Sequence, residues 1–176
     1  MPRYVGLLRG VNVGGKNKLA MADLRALVES LGHTDVSTLI QSGNLIFTSQ
    51  RAVTAKRLEA AIEKEFGIDI AVVLRTAAEL RSVVKANPFT GVDPSKVHVG
   101  FMASKPSTGA VAKLDADRFQ PEEFAVRGSH LYLHLPNGMG RTKLAPYLDR
   151  QLKIPTTVRN WKTVTRLVDL TAGSSR

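Results

Sequence analysis

The chain has 176 residues, 43% of them hydrophobic and 23% charged, with no cysteine and a formal net charge of +10. That is ordinary globular composition, long enough for a real core in one compact domain or in two small ones sharing it. Disulfides, thiol nucleophiles and zinc–thiolate sites are excluded, and no apolar run reaches the ~18 residues of a membrane span.

Met1-Pro2-Arg3 leads directly into the first element with no secretory pattern, so a cytoplasmic location is expected. Tyr4 to Leu8 reads as a strand. Met21 to Leu31 reads as a helix with Leu24, Leu27, Val28 and Leu31 on one face, stopped at Gly32. Val36 to Gln41 and Asn44 to Thr48 read as a hairpin turning at Ser42-Gly43. Ala55 to Phe66 is a second amphipathic helix stopped by Gly67, and Ile70 to Leu74 is a fourth strand. The order β-α-β-β-α-β is that of the ferredoxin-like unit. Thr76 and Glu79 then have the spacing of a capping box, opening a helix that runs to about Ala86 and stops before Pro88.

The order then recurs: strand Val97 to Ala103, short helix Ser107 to Asp115, a hairpin of Phe124 to Arg127 and Leu131 to Leu135, helix Lys143 to Leu152, strand Thr156 to Val158, helix Trp161 to Leu170. Both copies leave their last strand through an arginine and a capping residue, Arg75-Thr76 and Arg159-Asn160. The sequence therefore predicts an α+β fold, a tandem duplication of ferredoxin-like β-α-β-β-α-β units with antiparallel sheets. The first repeat covers residues 1–88 and the second 96–176, with a linker at 89–95. The competing reading is one continuous α+β sheet in which the order recurs by coincidence.

The positive charge is unevenly placed. Residues 1–18 carry Arg3, Arg9, Lys16 and Lys18 and no acid, and residues 127–166 carry eight bases against Asp149 alone. Brought together, these segments would form a face attracting phosphates, nucleic acid or an acidic protein. The plainer reading is a generally basic surface.

Two glycine-rich loops stand out. Gly10-Val11-Asn12-Val13-Gly14-Gly15-Lys16-Asn17 nearly matches the phosphate-binding pattern G-x-x-x-x-G-K-S/T, but Asn17 stands where the magnesium-holding hydroxyl is needed. A nucleotide hydrolase is thereby disfavoured. What remains is an anion cradle of backbone N–H groups beside Arg9, Lys16 and Lys18, or a loop whose glycines serve only its turns. Pro136-Asn137-Gly138-Met139-Gly140-Arg141-Thr142-Lys143 also approaches a helix. Thr142 is a natural N-cap there, and free N–H groups would favour an anion.

Topology decides which loops meet. The loop Arg9 to Lys18 should share a sheet end with Gln41-Ser42-Gly43-Asn44, and Pro136 to Lys143 with Arg159-Asn160-Trp161. If the copies pack so that these ends face one cleft, one site holds all four segments. Trp161, the only tryptophan, reads as a packing residue or as a stacking platform beside Arg159 and Lys162. His130 and His134 lie about 13 Å apart along a strand, too far for one ion, so no metal site is predicted. Ser42 lacks the G-x-S-x-G elbow of a nucleophile.

The runs Leu7 to Gly15, Gln41-Ser42-Gly43-Asn44, Leu135-Pro136-Asn137-Gly138 with Thr142-Lys143-Leu144, and Arg159-Asn160-Trp161-Lys162-Thr163 resemble the domain of unknown function 1697 (DUF1697) family, in the same order along essentially the whole chain. The resemblance implies a bacterial cytosolic protein and marks these polar runs as the places to seek function. It brings no activity with it.

The functional expectation is a small anionic or phosphorylated ligand. Its binding residues would be Arg9, Asn12, Gly14, Gly15, Lys16, Gln41, Ser42, Asn44, Thr142, Lys143, Arg159 and Asn160. The alternative is a nucleic-acid-binding module using the basic face, with Trp161 stacking on bases. No cofactor and no membrane partner are expected, the residues name no reaction, and a monomer or weak dimer is anticipated.

Overall fold

The computed structural model describes residues 1–172. They form eight strands and six α-helices in two units. One unit holds residues 1–81 with 167–172, and the other holds residues 82–166.

In the first unit, strands β1 (Arg3–Leu8), β2 (Thr34–Leu39), β3 (Asn44–Thr48) and β4 (Val72–Thr76) form one sheet in the order β2-β3-β1-β4. All its pairings are antiparallel. Helices α1 (Met21–Ser30) and α2 (Ala55–Phe66) cover one face. There Met21, Leu24 and Val28 of α1 and Leu58 and Ile62 of α2 meet Leu8, Leu45, Phe47 and Val72 of the sheet. This is the apolar stripe that helical spacing of those residues requires. Thr54 caps α2 by accepting from the Arg57 N–H at 3.3 Å, and Gly67 ends it in the left-handed region, φ 67°.

The second unit repeats the design. Strands β5 (Val97–Met102), β6 (Glu123–Arg127), β7 (His130–His134) and β8 (Thr156–Asn160) take the order β6-β7-β5-β8, again all antiparallel. Helices α4 (Thr108–Ala112) and α5 (Leu144–Leu152) follow the order of α1 and α2. Leu144, Tyr147, Leu148 and Leu152 of α5 pack on Met102, Leu131 and Leu133. Both units thus have the ferredoxin-like order, and the repeat extends to single residues: Gly6 and Gly100 each sit opposite a leucine, Leu45 and Leu131.

The remaining helices begin in one unit and end in the other: α3 (Ala77–Lys85) passes the division at residues 81 and 82, and α6 (Trp161–Ala172) passes it at 166 and 167. The Thr76–Glu79 capping box forms as the spacing predicts. The Thr76 N–H donates to Glu79 Oε2 at 2.7 Å and the Glu79 N–H to Thr76 Oγ1 at 3.2 Å. Within the second unit the Tyr132 hydroxyl donates to the Val83 carbonyl at 2.7 Å, tying the end of α3 to β7.

Most element ends fall within one or two residues of the sequence reading, α4 is shorter at Thr108–Ala112, and three boundaries in the first unit stand out. β2 starts at Thr34 because the register slips between Thr34 and Ser37, with Asp35 at φ 50°; a bulge hides a strand from alternation. β4 starts at Val72, beyond which its ladder to β1 continues only as a bond from the Arg9 N–H to the Ala71 carbonyl at 3.0 Å. Gln41 lies in the turn, because Leu39 pairs directly with Asn44. No helix among the described residues is long and apolar enough to cross a membrane.

Candidate functional site

The glycine loop joins β1 to α1 at the sheet end where the β2–β3 turn also lies. The Leu8 N–H donates to the Gly43 carbonyl at 2.9 Å. A Cβ on Gly43 would stand 2.8 Å from Leu8 Cβ, and its φ is +85°, so only glycine fits this approach.

Asn12 closes the loop. Its side-chain amide donates to the Leu19 carbonyl at 2.8 Å and to the Gln41 carbonyl at 2.7 Å, and its oxygen accepts from the Leu19 N–H at 2.8 Å. One side chain therefore ties the exit of β1, the start of α1 and the β2–β3 turn together. Asn17 adds a bond from Nδ2 to the Gly10 carbonyl at 3.2 Å, and the Lys16 N–H closes on the Val13 carbonyl at 3.0 Å. Gly14 and Gly15, at φ 58° and 75°, form the tip of that turn.

The backbone here is strained. Asn12 (φ 57°), Asn17 (φ 51°) and Ile40 (φ 52°) all lie in the left-handed region without being glycine. Ile40 is β-branched, the side-chain class for which this conformation is least favourable. It is also 57% exposed, and Val13 on the facing loop is 61% exposed.

The chemistry this scaffold offers is polar and cationic. Arg9, Lys16, Lys18 and the Gln41 side chain are exposed. The N–H groups of Gly14 and Gly15 have no partner among the described residues. Helix α1 has Ala20 at its N-cap and no side-chain cap, so its first N–H groups also lack the usual side-chain acceptor. Asn44, by contrast, is fully buried and donates to the Leu39 carbonyl and to Ser42 Oγ, each at 3.0 Å. Asn12, Ser42 and Asn44 thus shape the turns, while Arg9, Gly14, Gly15, Lys16 and Gln41 present groups to solvent.

The second predicted set lies in the second unit. β5 pairs with both β7 and β8, with His98 opposite Leu133 and Asn160, so the loop after β7 and the exit of β8 share a sheet end. The predicted open helix start is not found. Thr142 Oγ1 already accepts from the Leu144 and Ala145 N–H groups at 3.2 and 3.3 Å. The next residue is Pro146, and the Tyr147 N–H bonds the Lys143 carbonyl at 3.3 Å. Thr142 serves α5 itself, and Lys143 alone of that pair is exposed. Asn160 caps α6 through the Thr163 N–H at 2.8 Å, and Trp161 is half-buried in its first turn.

Arg159 is 8% exposed and donates to Thr157 Oγ1 at 2.6 Å and to the Val158 carbonyl at 3.0 Å. Burial lowers its guanidinium pKa to about 10. Arg75 holds the equivalent place in the first repeat, opposite Val5 as Arg159 is opposite Val99. Burial lowers its pKa too, and Glu79 acts against that. Four residues beyond Arg159 stands Thr163, so the second copy has no acid at the matching position. Sequence spacing revealed the paired arginines but carried no sign of their burial.

Among the described residues no group of three or more His, Asp or Glu is placed to hold a metal ion. Fold and loop together describe a duplicated ferredoxin-like protein with a strained, cation-bearing loop at one sheet end. The chain belongs to the DUF1697 family, described as a protein of unknown function, whose model matches residues 1–132. It is similar in fold to the conserved bacterial protein SP0830 from Streptococcus pneumoniae, with 23% identity and a TM-score of 0.72 over 97% of this chain and 98% of that one. No curated protein matches.

Proposed function

We propose that the protein binds a small anionic, phosphorylated ligand at the glycine loop of its first unit. The observation that carries this reading is strain. Ile40 holds an unfavourable backbone conformation at the same sheet end as Asn12 and Asn17, which as asparagines tolerate theirs more readily. At Ile40 the cost is on the order of 1–3 kcal/mol, and such outliers gather at ligand clamps. Asn12 fixes the loop by three bonds, and Gly14, Gly15, Lys16 and Lys18 within it are exposed. Oriented backbone N–H groups beside an uncapped helix start suit phosphate oxygens. Lys16 and Lys18 would neutralise charge and Gln41 would orient the ligand.

The test is calorimetric titration with phosphate, pyrophosphate and a nucleoside diphosphate. Lys16→Ala and Lys18→Ala should each weaken the bound member by about 1–3 kcal/mol, the scale of a charge-assisted hydrogen bond. Thermal stability should stay within about 0.5 kcal/mol of wild type, because both side chains are solvated. Unchanged affinity in both variants would remove the loop from binding.

One observation favours the nucleic-acid reading. An open cleft of about 540 Å³ in the second unit is lined by Lys113, Arg150 and Lys153 with no carboxylate. A protein using such cations on ~6 phosphates should lose about 10³ in affinity between 50 and 200 mM salt. Absence of any shift of single- or double-stranded DNA or RNA at low salt would eliminate this reading.

A further inference from the structure

A second cavity lies at the other end of the first sheet, away from the glycine loop. It encloses about 290 Å³ where α1 ends, β2 begins and β3 leads into α2. Leu31, Val53 and Leu58 supply apolar wall, and His33, Arg51 and Arg57 supply the polar groups. That is the usual make-up of a small-molecule site, apolar surface with a few polar groups.

Three features set it apart from an ordinary dent. Leu31 is 42% exposed, one of the few large apolar side chains left to solvent. Neither the Arg51 nor the Arg57 guanidinium has an ion-pair or hydrogen-bond partner among the described residues. Arg57 also stands in the first turn of α2, three residues after Thr54, where a capping box would place Glu. That turn has no acid, so the sequence puts a cation against the positive end of the helix. A local rule broken without compensation within the chain points to compensation from outside it.

The walls are pre-set. Ser49 Oγ accepts from the Arg51 N–H at 3.1 Å and donates to the Arg51 carbonyl at 2.9 Å, which fixes the turn bearing that arginine. The His33 ring lies against Phe47 at 4.9 Å between centroids. Burial, and secondarily Arg51, lowers the His33 pKa below its ordinary 6.5, so it lines the cavity as a neutral imidazole at pH 7.

We infer that this cavity binds a small amphiphilic carboxylate, its apolar body against Leu31, Val53 and Leu58 and its anionic head between Arg51 and Arg57. The volume is that of about ten waters at ~30 Å³ each, which suits a compact aryl or short alkyl acid. Two guanidiniums on one cavity wall supply the charge that a carboxylate needs, and the planar fork of each suits its two oxygens.

The test uses the full chain and three probes: 3-phenylpropionate, its neutral isostere 3-phenylpropanol, and propionate. Amide shifts followed by NMR should place 3-phenylpropionate at Leu31, His33, Arg51 to Val53 and Arg57-Leu58, with a Kd of about 1 mM. The alcohol and propionate should each bind at least about tenfold more weakly. Arg51→Gln and Arg57→Gln should each weaken the acid about fivefold or more; the melting temperature should be unchanged in the first and unchanged or raised in the second, where glutamine suits the third helical position after Thr54. If the alcohol equals the acid, the arginines play no part and the inference fails. If propionate equals the acid, the apolar wall plays none and it fails equally. It also fails if the Leu31, His33 and Leu58 amides stay unmoved at about 20 mM 3-phenylpropionate.

Discussion

Replacing Asn12 should separate the two parts of its role, bonding and conformation. Asn12→Gly keeps the left-handed backbone without penalty and removes three hydrogen bonds, two donated and one accepted. At about 1 kcal/mol net each, discounted because water reaches this partly exposed site, the lost bonds amount to about 2 kcal/mol. Asn12→Ala loses the same bonds and keeps a Cβ at φ 57°, so it should cost about 2 kcal/mol, about 1 kcal/mol more than Asn12→Gly, which sheds that Cβ. Asn12→Asp keeps the acceptor for the Leu19 N–H but sets a carboxylate against the Leu19 and Gln41 carbonyls, so it should cost more than Asn12→Gly. Urea titration at pH 7 reads these as midpoint shifts at constant slope. An Asn12→Ala protein within about 0.5 kcal/mol of wild type, or one equal to Asn12→Gly, would refute the clamp.

Gly43→Ala should destabilise by about 2 kcal/mol or more in the same urea assay, since its Cβ would meet Leu8 Cβ at 2.8 Å and its φ is +85°. Tyr132→Phe should cost about 1–2 kcal/mol by leaving the buried Val83 carbonyl without its donor. Burial raises the Tyr132 phenol above its ordinary 10.0, so the unfolded chain loses that proton first and stability falls as pH climbs past 10. The Phe variant should show a shallower fall in thermal melts across that range. Burial lowers the His98 imidazole below 6.5, and its Nδ1 is buried without a hydrogen bond. The unfolded chain therefore takes up the proton first, so this stability is full above pH 6.5 and is lost below it. His98→Phe should melt with a smaller drop between about pH 6.5 and 5, and an unchanged drop would show that His98 does not titrate on unfolding.

Much of the fold is legible because its signals are local. Leu58, Ile62 and Gly67 mark α2 to the residue, and the Thr76–Glu79 spacing announces a capping box that forms with both of its bonds. The repeat was readable because Arg75-Thr76 and Arg159-Asn160 leave equivalent strands. Strand starts were less legible where backbone irregularity intervenes, as at the Asp35 bulge.

The candidate site was legible in position but not in the division of labour. Glycines and cations pointed to the loop, and strand direction placed it beside Gln41 to Asn44. That Asn12 and Asn44 would spend their amides on backbone carbonyls depends on where those carbonyls turn, which no spacing encodes. Thr142 shows the converse: its hydroxyl and Pro146 together consume the N–H groups that a helix start would otherwise offer an anion. Ile40 at φ 52° had no sequence signal, since β-branched residues are the last expected there. The cavity of Leu31, His33, Arg51 and Arg57 joins two segments distant in sequence, and its one local sign is the acid-free first turn of α2.

The most direct test of the glycine-loop site is an amide NMR titration of the full chain with pyrophosphate. Saturable shifts at Gly10, Val13, Gly14, Gly15, Lys16 and Met21, needing about tenfold more pyrophosphate in Lys16→Ala and unchanged in Arg57→Gln, are the result predicted. Shifts that leave Gly14 and Gly15 unmoved, or that survive Lys16→Ala undiminished, would contradict the account and return the loop to a purely architectural role.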